Sequence, residues 1–211
     1  MKKIILLLIA IILFGCSSSS DDKDIVIDAK YKSVQQRLNE NESPLSIYNN
    51  GIIIDSLYGK TYKGGLIYYL NTSNGTGLVA HWQDNSNAVN WGGSADIAAA
   101  NNTIIGSGLS NTNAITNYYI STNTAADYCD NLVLNNYSDW FLPSKDEMLM
   151  MINVLKDKPN VYFGAVTGYW TSSNYDYENV WMIRSNKTPT VFLKYNSVIN
   201  YDVRIRATRA F

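Results

Sequence analysis

The side chains most able to do chemistry crowd into one stretch, Tyr137–Met148, which reads YSDWFLPSKDEM. Asp139, Ser144, Lys145, Asp146 and Glu147 all fall within it. Two carboxylates held across a glycosidic bond would suit glycoside hydrolysis. That chemistry needs a partner acid motif, a histidine or a metal cluster, and none stands nearby. A structural reading accounts for Ser144, Asp146 and Glu147. Pro143 disfavours helix before it. Ser144 is then an N-cap with Glu147 three residues on, the spacing of a capping box. Asp146 and Glu147 sit where the helix dipole favours acids. Met148, Leu149, Met151, Ile152 and Leu155 supply the apolar helix face. The stretch is expected to be a strand-to-helix joint, with no catalytic residue in it.

The other reactive types are sparse. His81 is the single histidine, so neither a multi-histidine metal site nor a Ser-His triad is supported. No Gly-x-Ser-x-Gly elbow and no phosphate loop is present. Cys129 shares an apolar helical face with Ala125, Ala126, Leu132 and Val133, so it reads as a small buried apolar residue. The expectation is a protein that is not an enzyme and has no cofactor or metal.

The N-terminus carries a different kind of chemistry. MKKIILLLIAIILFGC has two lysines, then an apolar run from Ile4 to Phe14, too short to span a bilayer comfortably and fitting a signal-peptide core. Leu13-Phe14-Gly15-Cys16 resembles a bacterial lipobox. Cleavage before Cys16 would leave 1–15 as leader and a lipid on the Cys16 sulfur, whose buried chains add about 0.8 kcal/mol per CH₂ to anchoring. SSSSDDKD follows, so 16–24 reads as lipidated Cys plus tether. Ser and Asp after such a Cys resemble the surface-export signal of Bacteroidetes lipoproteins. The expected address is the outer membrane, exposed on the cell surface. Loss of Lys2 and Lys3 leaves 15 basic against 18 acidic side chains. No global basic field exists to attract nucleic acid.

With 46% hydrophobic and 17% charged residues, the rest should form one packed domain. With Cys16 acylated, Cys129 has no intramolecular disulfide partner. Residues 25–56 form a lead-in segment with a helix around Ala29–Leu38 and a turn at Asn49-Asn50-Gly51. LIYYL and LVAHW flank NTSNGTG as a hairpin. Asp84–Tyr119 keeps no period and reads as a long loop region. Ser121–Val133 reads as a helix capped by Thr122 or Thr124. GYWTSS, VWMIRS, TVFLKY and VRIRATRAF read as strands. In the last, Val203, Ile205 and Ala207 alternate with Arg204, Arg206 and Thr208, as in a half-buried strand. The fold class expected is α+β, with antiparallel sheets, two helices and long irregular loops.

KTYKGGLIYYL, GTGLVAHWQD, AADYC, YSDWFLPSKDEM, YWTSS, Trp181 and VRIRATRAF occur in one order. Over 57–211 this set resembles the Lcl C-terminal domain family, once a domain of unknown function, whose best-known member ends a bacterial collagen-like adhesin. The resemblance implies a C-type-lectin-like fold in which two helices pack against antiparallel sheets and a long loop region binds ligand. It implies that Trp140, Leu142 and Pro143 form the joint, that Trp170, Ser172 and Ser173 lie in the sheet near the loops, and that Arg204, Arg206 and Arg209 form the family's basic ending.

A lipid anchor, a tether and a lectin-like domain make a display device, so adhesion and carbohydrate binding are the leading expectation. Candidate sugar contacts are Trp82, Trp91 and the polar-aromatic run with Asn174, Tyr175 and Tyr177. Neither the Glu-Pro-Asn triplet nor the Trp-Asn-Asp step of calcium-dependent lectins is present. The adhesin relative is associated with sulfated polysaccharides, and from Trp170 onward Lys and Arg exceed acids by three. The alternative partner is a surface protein, read by a variable loop surface; SNYDYENV has a suitable mix. The formylglycine-generating oxidase shares a related fold, but its chemistry needs a cysteine pair that this chain lacks. Asp55-Ser56-Leu57 resembles the O-glycosylation site of exported Bacteroidetes proteins, which makes Ser56 a candidate glycan carrier.

Overall fold

A computed structural model describes residues 32–84, 89–120, 123–164, 167–195 and 202–211. The leader, Cys16 and the tether lie outside the described residues. No described helix is long and apolar enough to cross a membrane.

The chain enters through two short helices, α1 (Val34–Asn39) and α2 (Pro44–Asn49). Ser33 and Gln36 close a capping box on α1, and Ser43 caps α2 with Pro44 in its first turn. Of the expected lead-in helix around Ala29–Leu38, residues 29–31 lie outside the described residues; the described helix starts after its Ser33 N-cap and ends at Asn39. Leu38 and Ile47 are buried, so these helices rest on the domain. Arg37 donates two hydrogen bonds of 2.7 Å to Glu42.

The hairpin is present as β2 (Gly65–Leu70) and β3 (Gly77–Ala80), preceded by β1 (Thr61–Tyr62). Asn71 and Asn74 side chains accept from the turn backbone. The region read as one long loop contains α3 (Gly108–Tyr118). Its sequence, GLSNTNAITNY, has little helical propensity. Tertiary bonds hold it: Asn111 donates to the Asn102 carbonyl at 2.6 Å, and the Thr112 hydroxyl both donates to and accepts from the Leu142 backbone. α4 (Ala125–Asp130) begins after a Thr124–Asp127 capping box and ends before Leu132 and Val133. Val133 is exposed, so the expected apolar face stops at Cys129, which is buried.

The joint is as the sequence implies. Phe141 exchanges two backbone hydrogen bonds with Thr208, and Ser172 donates to the Pro143 carbonyl at 2.8 Å. Ser144 then caps α5 (Lys145–Leu155). Met148, Met151, Ile152 and Leu155 pack with Tyr68, Leu78, Phe141, Tyr169 and Ile183. Glu147 does more than cap. It is fully buried, and its carboxylate also accepts from the Gly106 amide at 2.7 Å, pinning the start of α3 to the start of α5. Gly108 is required there, since a Cβ would lie 2.2 Å from a Glu147 carboxylate oxygen.

The C-terminal third forms β4 (Gly168–Asn174), β5 (Asn179–Arg184), β6 (Pro189–Leu193), β7 (Val203–Arg204) and β8 (Thr208–Ala210). The sheet orders are β1-β2-β3-β8 and β6-β5-β4-β7. The fold is α+β, with five described α-helices rather than two. One sheet is antiparallel; the other is mixed, because β7 runs parallel to β4. VRIRATRAF is therefore not one strand. Its first part joins the second sheet and its last part the first, so this segment ties the two together. The half-buried pattern also fails at Arg206, which is fully buried alongside Ile205 and Ala207.

Candidate ligand-binding site

β4 is buried along its whole length and ends at Asn174. The chain then turns through Tyr175–Glu178 into β5. Asp176 builds the turn: its carboxylate accepts from the Glu178 and Asn179 amides and from the Asn179 side chain, at 2.8–2.9 Å. Those bonds, the Asn179 side chain foremost, hold the carboxyl below the usual range. Such a turn sets its flanking side chains outward. Tyr175 is 50% and Tyr177 60% exposed.

Tyr175 meets Trp181 edge-on, with centroids 5.2 Å apart, and the Lys145 ammonium lies 5.0 Å from the Trp181 centroid. Tyr119 is the C-cap of α3. Its phenol is pushed up by burial first, then by Tyr118, with a smaller contribution from nearby Tyr177. Tyr119 donates to the Gly93 carbonyl and packs edge-on against Trp91 at 6.4 Å. Tyr118 stands 4.9 Å from Tyr119 and is exposed. Tyr175, Tyr177 and Trp181 thus stand at and just after the β4–β5 turn, and the Tyr118–Tyr119 pair stands at the end of α3.

Beneath them lies a fully buried cation, Lys194. Its Nζ donates to the Ala95 carbonyl, to Asn174 Oδ1 and, at 2.6 Å, to the Asp176 carbonyl. The Tyr177 carbonyl stands at 3.4 Å. The ammonium also sits 4.8 Å from the Trp91 ring centroid. The Asn174 amide nitrogen passes the connection on to Asp96 at 2.9 Å and Asn101 at 2.7 Å. Burial lowers the lysine to about 8, against the opposing pull of Asp176 and then Asp96. It is still charged at neutral pH. The long loop, the end of β4, the β4–β5 turn and the end of β6 meet at this one nitrogen.

Two expected contacts need correction. Trp91 has no face to offer a sugar: it is fully buried, its indole donates to the Thr171 carbonyl at 2.7 Å, and Lys194 lies over its ring. Asn174 is 2% exposed, with both ends of its amide engaged. Both support the surface from below. Trp82 stands elsewhere, half-buried and stacked on His81 with centroids 5.0 Å apart. Burial lowers the His81 pKa. Ser56 closes a 3₁₀ turn, Ile54–Ser56, and lines a cleft of about 410 Å³ with Gln35, Tyr58 and Lys158.

The basic ending is not a free positive patch. Arg206 pairs with Asp84, Arg204 with Asp202 at 3.0 Å, and Arg209 with Asp139. Those pairings remove the motive for a sulfate-binding arginine stripe. Burial holds the Cys129 thiol well above its usual range, the opposite of a nucleophile. Among the described residues, no group of three or more His, Cys, Asp or Glu stands together to hold a metal. Sequence reasoning missed Tyr118, Tyr119, Lys145 and Lys194. Only the Tyr-Tyr pair carried a signal, being two aromatics at the end of a polar run.

No family model matches the chain. No curated protein matches it either. Among solved structures it is similar to a fimbrial protein from Bacteroides ovatus ATCC 8483, with a TM-score of 0.42 and 15% identity. That likeness covers 63% of this chain and 35% of the fimbrial protein.

Proposed function

We propose that this protein is a lipid-anchored, non-catalytic binding module of the outer cell surface. Its ligand is a glycan held on the tyrosine-lined surface at the β4–β5 turn. One observation carries the reading: two exposed tyrosines, Tyr175 and Tyr177, on a turn fixed from below by a buried lysine. Rigid aromatics lose little conformational entropy on binding and offer flat apolar area beside polar groups, which suits the apolar faces and hydroxyl rims of sugars. The resemblance of the sequence to the Lcl C-terminal domain, which implies a C-type-lectin-like fold with ligand-binding loops, is a second support for this reading. The lipobox supplies the anchor, and Ser56 the candidate O-glycan.

The test is a glycan array probed with the purified full-length protein in detergent, with Ca²⁺ and with chelator. Specific binding lost in Tyr175→Ala and Tyr177→Ala, and kept in chelator, is the expected result. A folded sample that binds no glycan overturns the glycan reading. A protein captured through the same two tyrosines would then favour the protein-recognition alternative.

A further inference from the structure

Lys194 has an unusual arrangement for a buried charge. No carboxylate touches its Nζ among the described contacts; neutral oxygens surround it. An ammonium has three hydrogens to donate, and here three close acceptors receive them: Ala95 O, Asn174 Oδ1 and Asp176 O. They come from two segments, the loop at Ala95 and the end of β4 with the turn that follows it. A fourth oxygen, Tyr177 O, stands at 3.4 Å, and the Trp91 face closes another side at 4.8 Å. Charge compensation comes at one remove, from Asp96 through Asn174 and from the Asp176 side chain, whose own bonds are to the turn. The Lys194 backbone locks the same place: its amide donates to the Glu178 carbonyl at 3.0 Å and its carbonyl accepts from Trp91 at 3.3 Å. Carbonyl and amide oxygens converging from separate segments are the ligands a hard cation would take. Here the chain provides its own cation.

We propose that Lys194 is the positioning residue of the binding surface: its ammonium gathers the loop oxygens that a divalent cation would otherwise have to gather, and so presents Tyr175 and Tyr177 in a fixed arrangement without added metal. The consequence for binding rests on the glycan reading above. The consequence for loop order does not.

The experiment uses Lys194→Ala, which removes three carbons and the ammonium, with n-propylammonium as the missing piece and n-propanol as an uncharged match. The first readout is hydrogen exchange of the Tyr175–Asn179 amides in the full-length protein. Exchange should quicken about tenfold or more in the variant, the scale for losing charge-assisted hydrogen bonds. n-Propylammonium should restore protection; n-propanol should not. Lost apolar packing alone would be restored equally by both, and that result overturns the proposal. Chelator should leave wild-type exchange unchanged. A turn that loosens in chelator shows that a metal, not Lys194, does the ordering.

Should Lys194→Ala fail to fold, the wild-type protein still decides. A slowly exchanging Lys194 ammonium signal in ¹⁵N NMR at neutral pH is expected, and its absence would reject the cage. The second readout is glycan affinity, which should fall with turn protection and return with n-propylammonium. Restored protection with no glycan bound by the wild type would defeat the glycan reading and leave Lys194 as the ordering cation.

Discussion

Among the described residues, two fully buried cations, Arg206 and Lys194, are held in opposite ways. Arg206 is paired directly: its guanidinium donates to Asp84 at 2.7 Å and to the Tyr162 carbonyl, with Phe163 3.9 Å beneath it. Asp84 in turn accepts from the Tyr169 hydroxyl at 2.8 Å and the Gly164 amide at 3.2 Å. Lys194 is given neutral oxygens, with carboxylates one bond further away. Burial lowers both groups, but the lysine falls to about 8. The contrast separates two tasks. Arg206 lies where the final segment crosses from one sheet to the other, and its pair joins parts of the chain 122 residues apart. Lys194 lies under a turn and joins loops. The first arrangement should govern global stability and the second local order.

The largest effect tests the first half of this comparison. Asp84→Ala would leave Arg206 buried beside no carboxylate. The expected cost is about 3–5 kcal/mol, measured by denaturant unfolding. Replacing both, Asp84→Asn with Arg206→Met, should recover much of that loss, because neither desolvated charge remains and the carbonyl oxygen of the new amide can still accept from Tyr169 and Gly164. A double variant as unstable as the single one would show that the cluster acts through packing around Phe163 and Tyr169 rather than through charge.

Glu147 is the anionic counterpart of Lys194. It too lies fully buried without a counter-ion, among the amides of Ser144, Gly106 and Gly108. Burial raises its pKa while those amides oppose the rise. In Glu147→Gln one acceptor becomes a donor facing an N–H. A cost of about 1–3 kcal/mol is expected by the same measurement. If neutral cages act locally, this loss should come with faster exchange at the start of α3. A uniform rise over the whole domain would erase the distinction from Arg206.

These three charges also show what the sequence disclosed. The Ser144–Glu147 cap, the β2–β3 hairpin and the strands around Trp170, Trp181 and Phe192 were legible, because capping, turn chemistry and period-two patterning act within a few residues. α3 was not, because it is held from outside: Thr112 finds its partner thirty residues away at Leu142, and Asn111 reaches back to the Asn102 carbonyl. The inward turn of Arg206 was hidden for the same reason: an alternating run looks alike whether its arginine meets water or Asp84. At the candidate site, Tyr175 and Tyr177 were legible as exposed polar-aromatic neighbours. Trp91 and Asn174 were misjudged because their burial depends on Thr171 and Lys194, and nothing local announces either contact.

A second ion pair, nearer the surface, extends the scale. Arg37 holds Glu42 down to about 2, chiefly through the direct hydrogen bonds, with Ser46 and Asn50 adding to it. The folded value lies below the ordinary 4.5, so the unfolded chain binds the proton more readily. The stabilisation is therefore present above about 4.5 and is lost as pH falls from there towards about 2. Thermal midpoints followed across that window should fall more steeply in wild type than in Arg37→Ala. Parallel curves would mean that solvent screens the pair, unlike Arg206 and Asp84.

The smallest effect on stability should come from the two tyrosines proposed to meet the ligand. Tyr175→Ala and Tyr177→Ala remove half-exposed rings from a turn whose order comes from Asp176 and Lys194 rather than from the rings themselves. Unfolding free energies should stay within about 0.5 kcal/mol of wild type, while ligand affinity falls by about tenfold or more, as for an aromatic anchor. Of the two, Tyr175 should cost slightly more stability, because its edge packs on Trp181 at 5.2 Å. If either change loosened the turn as much as Lys194→Ala does, the rings would be part of the support. The division between a fixed base and a presented surface would then collapse into a single packed cluster.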